Sequence, residues 1–431
     1  QGGTVLFGHL ALCDRNSSRS LVLAAASLRY LLFRTRCLLE PVAGHSVQAH
    51  SRGLLVEHMG ACWWVSSLLV VLVVLVHGGS SSRSIFVDSA KGTDDLECGS
   101  SWSDACQSLS WVARNLSLVD GDAILMAAGE YSAESLSFPV VSIIGAGSAH
   151  TIIECPSSST VGALAFREGG LLRGVRINHC RDSAVTVGSW ERGGDLTVDD
   201  CFFFNCTTSG KEYDTNKVAA GAGIRYWGRG QGVIRLNNTV FDGCGGTAQA
   251  EKQNLRFKGG AVFMNSGTQL FTHNILFKDC FLIGLPNESG CLVIGATGTL
   301  LYTETESTEL VNVTSYNSHI SSGVLSGWSP VHINMRCAVV KKCNFFNSTG
   351  GSTIEGKIAR IEESRFVGVS GGVVVSSRAQ SLLLRNCVFG DIDQLYSNNN
   401  VAIQDSTIYN VAYVNGEHQH FVSCVLRDIE H

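Results

Sequence analysis

Three short stretches of this chain carry residue types that could do chemistry. Asp199-Asp200 set two carboxylates side by side, and a carboxylate pair is what glycosidic hydrolysis uses as acid and base. His179 follows Arg176-Ile177-Asn178, so an imidazole stands three residues after a guanidinium. Gln404-Asp405-Ser406-Thr407-Ile408-Tyr409 joins an amide, a carboxylate and a phenol. Gly145-Ala146-Gly147 and Gly228-Arg229-Gly230-Gln231-Gly232 are rich enough in glycine to suggest phosphate cradles. Neither leads into a helical pattern, as a dinucleotide fingerprint requires. No nucleophile-elbow motif occurs, and no Cys or His pair has zinc spacing. No metal and no cofactor is therefore expected.

The elements that would position these groups come from a nine-residue phrase. It runs apolar, two polar, small or Cys, any residue, aromatic, two residues, then often Cys. Val198 to Cys206, Leu236 to Cys244 and Thr272 to Cys280 are its clearest copies. Weaker copies centre on Cys180, Thr314, Cys343, Ser364, Cys387, Ser406 and Cys424. Copies lie roughly 18 to 39 residues apart, a period that marks stacked repeats.

Side-chain parity inside the phrase gives its shape. Leu196 and Val198 alternate as in a half-buried strand, and so do Cys201 and Phe203, but parity breaks across Asp199-Asp200. A bend at the polar pair restores one buried face. The same place is polar in Asn178-His179, Asn237-Asn238, His273-Asn274, Lys341-Lys342, Glu362-Glu363, Arg385-Asn386 and Gln404-Asp405. Asn and Asp suit bends because they tolerate a left-handed backbone. On this reading Asp199-Asp200 and His179 are corners. A third strand follows in most rungs, introduced by glycine at Gly221, Gly259, Gly290 and Gly371. Three strands per turn, stacked in parallel, make a coil.

Stacking predicts an aromatic ladder of Phe203, Phe241, Phe277, Tyr316, Phe345, Phe366 and Phe389, continued by Ile408 and Leu426. Each aromatic buries about 150–250 Å². Cys206, Cys244 and Cys280 would stack as well. Neighbouring strands are about 4.8 Å apart, within disulfide range, so these are disulfide candidates; a buried thiol acting as a small hydrophobe is the alternative. Cys98 and Cys106 share a Gly/Ser-rich loop and are expected to form a local bridge.

Residues 1–58 hold no repeat and are expected to be a poorly ordered upstream extension. From Met59 an apolar run, Leu68 to Val76, leads to small residues Gly78 to Ser82. That pattern fits a secretory signal peptide over 59–82. No Lys or Arg separates Met59 from the run, so a signal anchor is the alternative, with the upstream arginines cytoplasmic. Residues 83–431 are then the coil. Thirteen of the 16 cysteines follow the run, as do the sequons at Asn115, Asn205, Asn237, Asn287, Asn312 and Asn347. Secretion or surface display is expected, with Asn115, Asn237, Asn287, Asn312 and Asn347 as glycosylation candidates. The net charge is −5, without a basic block, which removes a nucleic-acid footprint. A membrane contact is expected only through an N-terminal anchor.

Taken together, the repeat resembles right-handed parallel β-helix proteins of the pectin-lyase-like superfamily. In style it is closest to polymorphic outer-membrane protein repeats: Phe202 to Asn205 matches their FxxN motif and Gly259-Gly260-Ala261-Val262 their GGAI motif. Ile85 to Gly92 and Gly121 to Tyr131 resemble the opening strands of such proteins, with Ser108 to Leu118 as the capping helix. The resemblance covers about residues 84–431 and implies an all-β, right-handed parallel β-helix solenoid of about ten to twelve rungs. The last copy, at Cys424, lacks a cap, so the coil is expected to be truncated.

Enzymes of this superfamily cut or de-esterify acidic polysaccharides. Their motifs are incomplete here: Gln404 to Tyr409 is like a pectin-esterase segment without its Arg-Pro-Trp partner, and Arg176-Ile177-Asn178 lacks the lysine of the polygalacturonase motif. The expectation is therefore a non-enzymatic binding, adhesion or structural module for glycans or extracellular proteins. The alternative is a polysaccharide lyase or hydrolase acting on acidic polysaccharide in a groove. The rungs from Cys201 to Thr314 are long, with insertions at 207–220 and 245–258 that should protrude side by side. Lys211, Tyr213, Asp214, Tyr226, Trp227, Lys252 and Arg256 in or after them are the expected ligand contacts.

Overall fold

The computed structural model describes residues 82–429, apart from 157–161, 189–192, 210–217, 227–231, 249–255, 259, 265–268, 285–295, 298–300, 304–306, 322–330, 335–336, 350–351, 356–357, 371–372, 376–380, 398–400 and 417–418. Residues 1–58, the apolar run and most of 59–82, with the expectations placed on them, lie outside these residues. Among the described residues no helix is long and apolar enough to cross a membrane.

The described chain is a parallel β-helix with three faces per turn. Every strand pairing is parallel, and 31 strands join in one hydrogen-bonded system. The first face includes Asp195–Asp199, stacked on Gly169–Arg173 below and on Val233–Asn237 above. The second includes Thr151–Glu154, Arg176–Asn178 and Phe202–Phe204 in that order. The third includes Leu164–Phe166, Val185–Val187 and Ile224–Tyr226. The helix Leu109–Asn115 buries Leu109 and Val112 against the first turns, with Ser108 as its N-cap. Its place is the one that capping patterns indicate.

Two bends shape each turn, and both are left-handed. The first holds Gly174, Asp200, Asn238, Asn274, Asn312, Lys342, Glu363, Asn386, Asp405 and Ser423, each with φ between 47° and 63°. The second holds His179, Asn205, Gly243, Asp279, Asn317, Asn347, Gly368, Asp391, Asn410 and Asp428, with φ between 45° and 64°. Asn, Asp and Gly dominate because they reach this region at least cost. At the first bend side-chain amides bond from rung to rung: Asn274 Nδ2 donates to Asn238 Oδ1 at 2.9 Å and Asn312 Nδ2 to Asn274 Oδ1 at 3.2 Å.

Two sequence expectations shift here. Asn178-His179 is not the counterpart of Asp199-Asp200: Asn178 pairs with Phe204, so His179 stands on the second bend beside Asn205. The pattern alone did not separate two bends of like composition. Tyr316 is not in the aromatic ladder either. Phe277 pairs with Ser315, which pairs with Phe345, and Tyr316 follows Lys278 on the outer surface. A one-residue slip exchanges the two sides of a strand, and the copy read at Thr314 was one residue out.

The other rings of the ladder are present and Ile408 continues them buried, while Leu426, in register with it, is 48% exposed. Ring centroids are 4.8 Å apart for Phe203–Phe241, 5.1 Å for Phe241–Phe277, 4.9 Å for Phe345–Phe366 and 5.4 Å for Phe366–Phe389. Ser315 interrupts it, buried, with its hydroxyl 3.2 Å from that of the buried Ser318. The insertions of the long rungs also stack. Thr207–Ser209, Gly245–Ala248, Phe281–Gly284 and His319–Ser321 form one parallel sheet, and Val218–Ala220, Arg256–Lys258 and Ala296–Thr297 another.

Candidate active site

Residues facing outward from the second face lie in register, one per rung. Glu154, Asn178, Phe204, Asp242, Lys278 and Tyr316 make one row. Ile152, Arg176, Phe202, Val240, Leu276 and Thr314 make the row beside it. The strands alternate in direction, so each inward residue that fills the core places the next one on this strip, where Asn178 is covered by its neighbours and only 5% exposed.

At one end of the strip three rungs converge. The middle rung supplies Arg176, Asn178 and His179. Asn178 links the set: its Oδ1 accepts from Arg176 Nε at 2.7 Å, and its Nδ2 donates to Glu154 Oε1. Glu154 Oε2 lies 3.1 Å from His179 Nδ1. In the neutral tautomer that carries its hydrogen on Nδ1, toward the carboxylate, the second ring nitrogen, Nε2, is the acceptor, the arrangement in which an imidazole can take a proton. The next rung supplies two rings. The Arg176 guanidinium lies 4.7 Å from the Phe202 centroid and 4.8 Å from that of Phe204. His179 meets Phe204 edge-on at 5.5 Å. Among the described residues Arg176 has no carboxylate partner; the two rings hold its guanidinium in place.

Further along, Lys278 Nζ is 3.0 Å from Asp242 Oδ2 and 3.7 Å from Asp279 Oδ2. The hydrogen bond and charge of Asp242 raise the lysine above its ordinary value, so it stays protonated and is a fixed cation rather than a base. Asp242 and Glu154 occupy the same register position three rungs apart. At the spacing of neighbouring strands that is roughly 14 Å, beyond the roughly 5–9.5 Å that the carboxyl pair of a glycosidase spans.

The residues singled out from the sequence fall elsewhere. Asp199 Oδ2 is 3.3 Å from Arg173 Nε, and its Oδ1 accepts from Asn238; Asp200 Oδ1 accepts from Ser148 Oγ at 3.3 Å. Both carboxylates thus tie bends together. Asp405 is at the first bend as well. Tyr226 is fully buried, and its hydroxyl accepts from the Gly194 amide at 3.1 Å, so it is a core residue and not a ligand contact. Its position alternates inward on the third face, which its place after an insertion concealed. Lys211, Tyr213, Asp214, Trp227 and Lys252 lie outside the described residues, and Arg256 opens the short strand Arg256–Lys258. Asn237 faces outward on the first face, Asn347 is exposed at the second bend, and Asn287 is outside the described residues. The amides of Asn115 and Asn312 are engaged, with Trp111 O and with Asn274. Cys98 and Cys106 are bridged, and so are Cys155 and Cys180. Cys206, Cys244 and Cys280 are buried thiols.

The converging set contains His179, Arg176 and Asn178, which the sequence reading assigned to a corner. Its fourth member, Glu154, precedes the clear copies of the phrase, and 25 residues part it from His179. The signal for it was the isolated Glu154-Cys155 before a Cys-bearing rung.

No family model and no curated protein matches the sequence. Solved structures similar to this chain include the catalytic domain of a GH87 α-1,3-glucanase in complex with nigerose, at 11% identity and TM-score 0.29, covering 71% of this chain and 61% of that domain. The GH136 lacto-N-biosidase from Eubacterium ramulus is similar at 9% identity and TM-score 0.32, covering 88% and 73%. A mannuronan C-5 epimerase module from Azotobacter vinelandii is similar at 12% identity and TM-score 0.26, covering 72% and 87%. A rhamnogalacturonan lyase is similar too, at 11% identity and TM-score 0.24, covering 80% and 85%. Likeness at this level concerns the fold, and what this chain does rests on its own residues. The expectation of a non-enzymatic module finds no support among these proteins, which include two glycoside hydrolases, a lyase and an epimerase.

Proposed function

We propose that this β-helix is a polysaccharide-degrading enzyme of the lyase type, acting on an acidic polysaccharide laid along the outer strip of the second face. The observation that carries the reading is the convergence of Arg176, Asn178, His179 and Glu154 beside two half-buried rings. Sugar rings present apolar faces that stack on aromatics, and Phe202 and Phe204 offer them. A uronate carboxylate pairs with a guanidinium in planar, bidentate fashion. Arg176 would neutralise that carboxylate and so acidify the proton on the adjacent ring carbon. His179 Nε2 would take this proton, while Glu154 stabilises the resulting imidazolium. The electron pair of the broken C–H bond forms a C=C bond as the neighbouring glycosidic C–O bond breaks. The leaving oxygen then takes a proton from water or from the imidazolium.

Elimination is favoured over hydrolysis because the converging set puts a base beside a cation and two rings, whereas the neighbouring carboxylates of Asp242 and Asp279 both turn to the protonated Lys278. The test is incubation of the protein with a panel of polyuronates, following both ultraviolet absorbance and new reducing ends. Elimination produces both signals together. Reducing ends without absorbance would establish hydrolysis instead, and neither signal on any polyuronate would sink the reading.

A further inference from the structure

We infer that the Cys155–Cys180 disulfide positions the Glu154–His179 pair, so that the covalent link and the proton-handling pair act as one unit. This rests on the reading of that pair as the acid–base part of the site. Cys155 directly follows Glu154, Cys180 directly follows His179, and the two sulfurs are bonded. The sulfurs lie inside the coil, with Cys155 and Cys180 buried, while the side chains of Glu154 and His179 are 37% and 50% exposed. A pair so exposed contributes little and does not by itself hold two side chains in one geometry. His179 also keeps φ at 56°, a left-handed backbone that a residue with a Cβ adopts only at a cost. A cross-link one residue beyond each partner fixes both backbones immediately behind the pair.

The surroundings argue that the bridge is placed for this purpose. The same inward slot holds Cys206, Cys244 and Cys280 on the next three rungs. Backbone bonds join them rung to rung: Thr207 N to Cys180 O at 2.7 Å, Gly245 N to Cys206 O at 3.0 Å and Phe281 N to Cys244 O at 3.2 Å. All three remain thiols, and Ser348 and Val369 fill the slot later in the coil. The coil thus stacks these rungs without cross-links. Five sulfurs in one column offer several neighbouring pairs, and the bond lies at the pair that follows Glu154 and His179.

The experiment is nitrogen-15 NMR of the His179 ring in three proteins: the unaltered chain, Glu154→Gln, and Cys155→Ala with Cys180→Val, which fills the slot with apolar side chains. The expected result is that the Nδ1 resonance of the cysteine variant moves to the position it has in Glu154→Gln. Removal of the other bridge, by Cys98→Ser with Cys106→Ser, should leave it where it is in the unaltered chain. A folded cysteine variant with an unmoved resonance overturns the inference. If that variant does not fold, the unaltered chain is measured before and after reduction with a phosphine, and the same two outcomes decide. Where polyuronate cleavage is observed, loss of the bridge should lower kcat roughly 10- to 100-fold with KM retained, as misplacement of catalytic groups does. Absence of cleavage by the unaltered chain would end the lyase reading but leave the NMR result to decide the role of the bridge.

Discussion

At the scale of single residues, the site depends on groups that could equally have been architecture. A histidine on a left-handed bend is a corner until a carboxylate from the preceding rung meets it. The distinction is measurable. His179→Ala should lower polyuronate cleavage by roughly 10²–10⁴-fold, the usual contribution of a general base, with the circular dichroism spectrum unchanged. Arg176→Lys keeps the charge but loses the planar group that stacks on Phe202 and Phe204. It should raise KM for polyuronates severalfold in steady-state assays, whereas a purely electrostatic role for Arg176 would leave KM as it was.

At the scale of elements, two bends and a ladder account for the coil. Asn274 sits at the first bend with φ 60° and bonds both neighbouring rungs. Asn274→Ala should cost about 1–3 kcal/mol in denaturant unfolding, since it loses both amide bonds and strains the backbone. Asn274→Gly should cost less than Asn274→Ala, because glycine takes this conformation freely. Equal costs would mean that the bend is not what the residue is chosen for. Phe241, fully buried between Phe203 and Phe277, should cost about 3–5 kcal/mol as Phe241→Ala. The ladder was legible in the sequence because inward positions are selected for the same size on every rung. Glu362 pairing with Lys341, and Glu363 with Lys341 and Lys342, followed from the same register, at 3.8, 3.6 and 3.8 Å. The second bend was not legible as distinct from the first, because both draw on Asn, Asp and Gly for one reason. The candidate site was hidden for a different cause. It is assembled across rungs of unequal length, and outward residues carry no packing pattern from which to align them.

At the scale of the whole molecule, buried thiols make the coil sensitive to alkali. Burial pushes Cys201, Cys280 and Cys343 up to about 12 and Cys387 up to about 11, from an ordinary value of 9.0. The folded state therefore favours the neutral thiol. That stability is fully present below pH 9 and is lost as pH rises from the unfolded value toward 11–12, at up to about 1.4 kcal/mol per pH unit for each thiol. Chemical unfolding followed between pH 8 and 11 should show this decline, and Cys280→Ala should flatten it; an unchanged slope would show that these thiols do not titrate with unfolding. The rung of Ser315 has a consequence of another kind. In a solenoid each turn grips only its neighbours, so tension applied along the axis passes through every turn in series, like load through the links of a chain. Among the described turns from Phe203 to Phe389, the one with a hydroxyl pair in place of a ring is the weakest link in that series. A coil pulled from its two ends should part there first, between Phe277 and Phe345, leaving two shorter stacks of rings that each still hold.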